Sequence, residues 1–392
     1  MKQHLIHSLR FLSVFAIACS SLLLVETVAK AEESLQLTLP KEVYAVSGIE
    51  TGIYFKNTVH TEKMSDYRFD INCKLGSSNK KRWAVTPTKN DVGQHSLSLT
   101  IKDAQGNIQG TQSTTLVVVP ANAGQGRKIR LLMIGDSLTN ASQYPNEVAR
   151  LLSLPGNPEW EMLGTHRPGA AASGVMHEGY GGWTWARFNS LYAADENGIR
   201  VHCVDEKHQR SKSGSSPFVF PNEQGKPELN LSKYFEQYCN GNRPDFITIK
   251  LGINDCFSAP YKDPAALDAR IDSMFKQADI LIAALRKSAP YAEIGICLTT
   301  PGNSRDEAFD ANYKGRYTRQ GWNKIQHRLV QRQIKYFSAI NDSKISIIPT
   351  ELYLDITDGY PSNNAVHPNK EGYQQIGSSI YAWLKWRLAS SN

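Results

Sequence analysis

The sequence predicts two bodies in series. A small all-β body of immunoglobulin-like sandwich type spans residues 32–121, and a larger α/β body with a parallel sheet covered by helices spans residues 127–390. Three observations carry this reading. Before Pro120 the apolar residues recur in short runs at every second position, with turn residues after each run. After Gly126 continuous apolar runs alternate with stretches of helical periodicity. Between them, Pro120-Ala121-Asn122-Ala123-Gly124-Gln125-Gly126 has the composition of a linker.

In chain order, Met1–Ala31 comes first. Lys2 and Arg10 make a positive start, Phe11–Val25 is a short apolar run, and Ala29-Lys30-Ala31 is a small-x-small cleavage site. This predicts a secretory signal peptide over residues 1–31, in preference to a membrane anchor. Lipidation at Cys19 is disfavoured, since Ala16 stands where a lipobox wants Leu. No later stretch is apolar enough to span a bilayer, so the mature chain is expected to be secreted or periplasmic, without stable membrane insertion.

In the β body, Leu35–Leu39 and Ser96–Ile101 alternate at period two, Thr114–Val119 is β-branched, and Asn90-Asp91 and Asp103–Asn107 are turn signals. Its expected role is that of a spacer or packing partner. Glycan binding through Trp83 and Tyr67 is the sharper alternative. In the α/β body the predicted strands are Ile129–Ile134, Trp160–Leu163, Phe246–Leu251, Ile294–Leu298 and Ile345–Ile348. Helical periodicity marks Val148 to Leu152, Asp263–Ser288, Trp322–Ile340 and Glu371–Leu388. The pattern lapses between Ala193 and Pro244, a stretch read as a lid or a surface insertion, with a slight lean to the lid.

The composition is ordinary for a globular chain: 392 residues, 41% hydrophobic and 21% charged, with a net charge of +7. Basic and acidic residues are interspersed, so no nucleic-acid footprint is present. After signal removal five cysteines remain, an odd number; Cys297 lies in an apolar run, and Cys203 and Cys239 are candidates for pairing. The absence of any C-x-x-C pair speaks against a zinc site, and no cofactor is called for.

Four short blocks sit at predicted strand ends, where open parallel sheets carry their sites. Gly135-Asp136-Ser137-Leu138-Thr139 follows the first strand and offers a hydroxyl near a helix N-terminus; a helix cap is its plainer reading. Gly179-Tyr180-Gly181-Gly182-Trp183-Thr184-Trp185 leaves backbone N–H groups unshielded, as an oxyanion site needs, or is only a turn. Gly252-Ile253-Asn254-Asp255 follows the third strand and offers an amide donor. Asn364-Ala365-Val366-His367-Pro368-Asn369 precedes the last helix and offers an imidazole base. His166, His177, His202 and His208 show no ligand spacing and read as surface or loop residues.

Together these blocks resemble those of the SGNH (GDSL) hydrolase family of serine esterases, over about Lys128 to Leu388. The resemblance implies a flavodoxin-like three-layer α/β/α fold and a carboxylic ester hydrolase. It places the nucleophile on Ser137, the oxyanion donors on Gly182 and Asn254, and the base on His367. The neighbourhood is most similar to exported bacterial members that remove acetyl or other acyl groups from carbohydrate, so an ester of a small molecule or polysaccharide is the expected substrate. One position departs from the family: its final block reads Asp-x-x-His, and the Asp falls on Asn364. Either the Asn364 amide orients His367, or a backbone carbonyl or another acid such as Asp355 or Asp358 does, or the enzyme is weak. Two rival functions follow: a lipid or other short-chain esterase, and a non-catalytic glycan-binding protein.

Overall fold

The computed structural model describes residues 35–61 and 63–390, so the expected signal peptide and Cys19 lie outside the described residues. Leu35 onward forms one compact unit. Its first part is a pair of sheets. In one, Glu42–Val46 runs parallel to the end of Ile108–Val119, which pairs antiparallel with Gly93–Lys102, and that strand pairs with Arg68–Cys73. The other joins Thr51–Tyr54, Arg82–Val85 and Ser77–Ser78. Alternation puts Val43, Leu97, Leu99, Leu116 and Val118 on the face that meets Ile53, Trp83 and Val85 of the second sheet. Trp83 belongs to this core, 2% exposed, with its indole N–H donated to Leu75 O at 3.0 Å. It is therefore no platform for a sugar.

The second part is a parallel sheet whose strands are β1 (Lys128–Gly135), β2 (Glu159–Leu163), β3 (Phe246–Lys250), β4 (Glu293–Cys297) and β5 (Ile345–Ile348). β2 and the short strand Glu178–Gly179 share one edge of β1, and β3, β4 and β5 follow on the other edge. The order 2-1-3-4-5 is the flavodoxin-like order, whose switch point lies beside β1. Period two divides the β1 side chains between two helical layers. Leu132 and Ile134 face α3 (Pro264–Ser288) and α4 (Arg319–Ser338). Ile129, Leu131 and Met133 face α2 (Gln143–Leu152) and α5 (Lys370–Ser390). The sequence-based elements therefore recur here, and the fold is the expected three-layer α/β/α.

The segment read as a linker is packed. Ala123 is buried, and its carbonyl accepts a hydrogen bond from the buried Lys385 Nζ at 2.5 Å. The reason lies on the outer face of the first sheet, where Tyr44, Val46, Val117 and Val119 are apolar and need cover. α5 supplies it, with Tyr44 stacked on Trp386 at 4.4 Å. In return Leu352 and Tyr353, just after β5, enter the sandwich core, and Tyr353 OH donates to Tyr44 O at 2.7 Å. Leu352→Ala is accordingly expected to cost about 2–5 kcal/mol. Because both bodies share this residue, near- and far-UV circular dichroism should report one denaturant transition with a lower midpoint. Two separate transitions would show that the bodies fold independently.

The stretch between Ala193 and Pro244 is not a detached lid. Cys203, Val204, Phe218, Phe220, Tyr234 and Phe235 join the same core as β1 and α3. Arg200 ties the irregular part down by donating to Ser216 O and Val219 O. Cys203 and Cys239 are both buried free thiols, pushed up to about 12 by burial. The candidate pairing is therefore not formed.

Candidate active site

The sheet delivers the site residues at its carboxyl edge. β1 ends at Gly135, and α1 (Ser137–Asn140) begins at once. Asp136 caps it by accepting from Leu138 N at 2.9 Å. The turn is tight because Thr139 is packed against two glycines. A Cβ would meet the Thr139 side chain at 1.9 Å from Gly135 and 2.5 Å from Gly179. Burial raises the Asp136 carboxyl above its ordinary range, opposed by the buried ammonium of Lys250.

Ser137 is half-buried at this turn, and His367 comes from the loop before α5. Their side chains meet: His367 Nε2 lies 2.9 Å from Ser137 Oγ. On the far side of the ring, Nδ1 lies 3.3 Å from Asn364 Oδ1. That oxygen also accepts from His367 N at 3.0 Å and from Val366 N at 3.2 Å. Asn364 thus caps its own turn and faces the ring with a carbonyl-type acceptor. This leaves the Nδ1 proton in place and Nε2 free to take a proton from Ser137. The other candidate acids are engaged elsewhere. Asp355 accepts from Thr357 N and Asp358 N, and Asp358 pairs with Lys81 at 2.6 Å. Burial holds the His367 pKa below the ordinary histidine value, so the ring is neutral at neutral pH.

The loop carrying Asn364 and His367 has its own support, which the sequence reading did not single out. Asn303 is fully buried, and its amide donates to Pro361 O at 2.8 Å and Asn364 O at 2.9 Å. Asn312 Oδ1 accepts from Ala365 N at 2.7 Å.

Asn254 follows β3 in the helical turn Ile253–Cys256 and lines the same cleft as Ser137. One proton of its amide goes to Trp183 O at 3.0 Å, which leaves the other for a developing oxyanion. Gly182 stands next to Trp183, exposed, at a left-handed φ of +72° that favours glycine. The glycine turn is fastened to β1 through Tyr180 N, which donates to Gly135 O at 3.1 Å. Ser137, His367 and Asn364 therefore form one hydrogen-bonded chain with Asn254 in its cleft, and Gly182 lies on the adjoining turn.

Two residues read as surface or loop histidines are buried. His166 is 1% exposed and His177 is fully buried. They bracket Gly179: His177 Nδ1 accepts from Gly179 N at 3.1 Å, and His166 Nδ1 donates to Gly179 O at 2.9 Å. Burial pushes His177 down to about 3, so it stays neutral and keeps this acceptor. Both histidines position the glycine turn. Among the described residues no three His, Cys, Asp or Glu side chains gather as a metal site. Among them, too, no helix is long and apolar enough to cross a membrane.

If Asn254 stabilises the oxyanion, Asn254→Ala lowers kcat on 4-nitrophenyl acetate by about 10²-fold, the low end for loss of one such donor, with little change in KM. An unchanged kcat would remove Asn254 from the oxyanion site.

With this geometry in hand, the chain compares with known proteins as follows. The family model described as GDSL-like Lipase/Acylhydrolase matches residues 131–380. No curated protein matches the chain. Among solved structures, a carbohydrate esterase family 3 from Talaromyces cellulolyticus is 15% identical, over 67% of this chain and 100% of that one, with a TM-score of 0.40. A Clostridium thermocellum family 3 carbohydrate esterase is 16% identical, over 67% and 98%, with a TM-score of 0.42. A family two carbohydrate esterase from Clostridium thermocellum in complex with cellohexaose is 16% identical, over 88% and 94%, with a TM-score of 0.35.

Proposed function

The chain belongs to the GDSL-like lipase/acylhydrolase family and is a carboxylic ester hydrolase, and from that premise we propose that it removes short acyl groups, acetyl above all, from carbohydrate outside the cytoplasm. The observation that carries the mechanism is the 2.9 Å contact between His367 Nε2 and Ser137 Oγ. Ser137 Oγ attacks the ester carbonyl while His367 takes its proton. The tetrahedral oxyanion is held by the Asn254 amide and the Gly182 N–H. His367 then protonates the departing sugar oxygen, leaving Ser137 acylated. Water attacks this acyl-enzyme, with His367 as base again, and the acid leaves. Asn364 Oδ1 orients the ring throughout.

The size of the cleft supports the short acyl group. The cavity beside Ser137 has a volume of about 30 Å³ and is lined by Leu138, Ile253, Phe257, Trp322 and Val366 among others. A space of this order holds about two waters, which matches a small acyl group. The carbohydrate part of the reading is supported by the half-buried aromatic ring of Phe257 beside the cavity, a side-chain type that suits the apolar face of a sugar. Within this reading, residues 1–31 direct export, and the β body, residues 32–121, serves as a packing partner of the hydrolase body, residues 127–390.

The reading is tested by comparing 4-nitrophenyl acetate, 4-nitrophenyl octanoate and chemically acetylated dextran as substrates. The acetate ester should exceed the octanoate in kcat/KM, and acetate should be released from the dextran by the wild type and not by Ser137→Ala. A preference for octanoate would replace this reading with that of a lipid esterase.

A further inference from the structure

We propose that a second cavity, next to the catalytic cleft, is a subsite for an anionic sugar residue of the substrate, recognised by Lys262 and Arg316. The inference rests on the esterase reading and adds a substrate class to it. The cavity has a volume of about 370 Å³, within the range of small-molecule pockets. It shares two wall residues, Phe257 and Trp322, with the cavity at Ser137. A saccharide whose ester lies at Ser137 therefore has its neighbouring unit within reach of this space.

The walls are aromatic. Phe257 meets Tyr317 edge to face at 4.9 Å and stands 5.5 Å from Trp322. Tyr261 lies against Gly321 in the first turn of α4, where a Cβ would come within 2.6 Å of the ring. Glycine at that position lets the ring approach the helix this closely.

The charge is one-sided. Lys262 and Arg316 are exposed and stand over the rings of their neighbours, Tyr261 at 5.9 Å and Tyr317 at 5.2 Å. Neither forms an ion pair with a described carboxylate, and no Asp or Glu lines the cavity. Of the described acids near them in sequence, Glu307 and Asp310 are exposed and line no part of the cavity, and Asp263 and Asp306 have other partners. Asp263 accepts from Ala265 N and Ala266 N as the cap of α3, and Asp306 takes both guanidinium contacts of Arg319. Two cations held over rings at the wall of an uncompensated cavity match an anion on a pyranose. The guanidinium suits the two oxygens of a carboxylate or a sulfate ester. Neither a neutral sugar nor a fatty chain makes use of these cations.

The test measures kcat/KM for acetate release from chemically acetylated dextran, polygalacturonate and dextran sulfate. In the wild type at low salt, at least one of the two acidic polymers should exceed the neutral one by about fivefold or more, and the arm that does so identifies the anion as carboxylate or sulfate. In Lys262→Ala/Arg316→Ala the acidic-to-neutral ratio should fall to about one, chiefly through KM, and 0.5 M salt should do the same to the wild type, as screening at about a 4 Å length requires. Lys226→Ala, which removes an exposed charge that lines no part of the cavity, should leave the ratio in place, separating local contact from overall charge. The double charge reversal Lys262→Glu/Arg316→Glu should invert the preference. The proposal is overturned by a wild-type ratio near one for both acidic polymers, or by a preference that survives the double substitution with an unchanged melting temperature. If the wild type releases acetate from none of the polymers and leaves 4-nitrophenyl acetate intact, the esterase reading has failed and the subsite falls with it.

Discussion

Ser137→Ala should lower kcat on 4-nitrophenyl acetate by about 10⁴-fold or more, the scale on which a serine hydrolase depends on its nucleophile. The expectation rests on the lack of a substitute. Among the described residues no other hydroxyl is hydrogen-bonded to His367, and the turn that presents Ser137 is locked by Gly135, Gly179 and Thr139. His367→Ala should cost a comparable factor, because an unassisted serine hydroxyl is a weak nucleophile at neutral pH. The double variant should be little worse than either single one, since the two groups act in one step. Some catalysis should survive in all three, supplied by the oxyanion donors and by binding. Steady-state kinetics with an active-site titrant check each point. A loss smaller than about tenfold for Ser137→Ala would mean that the nucleophile lies elsewhere in the chain.

The same residues mark where sequence alone sufficed and where it did not. β1 and β3 could be read because strands buried on both faces are continuous apolar runs, and the position of Ser137 and Asn254 just beyond them follows from the rule for open sheets. The contact between Ser137 and His367 crosses 230 positions. No local pattern encodes it, and only the order of the motif blocks pointed to it. His166 and His177 escaped for a related reason. Their pairing is one isolated bridge that closes the loop over residues 167–176, and neither lies in a run with a readable period. In the stretch from Ala193 to Pro244, Phe218, Phe220, Tyr234 and Phe235 are scattered among turn residues. Their apolar content was visible, but their shared burial required the tertiary structure. The packed segment at Ala123 makes the same point. Its composition suited a linker, while its conformation answers to the apolar sheet face that α5 must cover.

Asn364→Asp should raise plateau kcat/KM on 4-nitrophenyl acetate by between about 10²- and 10⁴-fold, the upper figure being the cost of the reverse exchange where the histidine tautomer is also lost. In this chain the tautomer is already served, since Asn364 Oδ1 faces Nδ1 at 3.3 Å. What is missing is charge. In the proposed mechanism His367 becomes an imidazolium as it takes the proton of Ser137, and a neutral amide offers that cation only a dipole. A carboxylate in the same place keeps the bonds from Val366 N and His367 N and adds a Coulomb attraction at the moment the charge appears. The pH profile gives an independent reading of the same change. Catalysis needs the neutral ring, so kcat/KM rises with pH through the pKa of His367 in the free enzyme. In the native chain burial keeps that pKa below the usual histidine value, and the acid limb should lie correspondingly low. An adjacent carboxylate favours the protonated ring and raises its pKa, so in the variant the limb should move to higher pH while the plateau above it rises. The gain is therefore largest at alkaline pH and shrinks, or reverses, on the acid side. A flat plateau together with an unmoved acid limb would show that residue 364 does not act on His367, and that the ring is oriented from elsewhere.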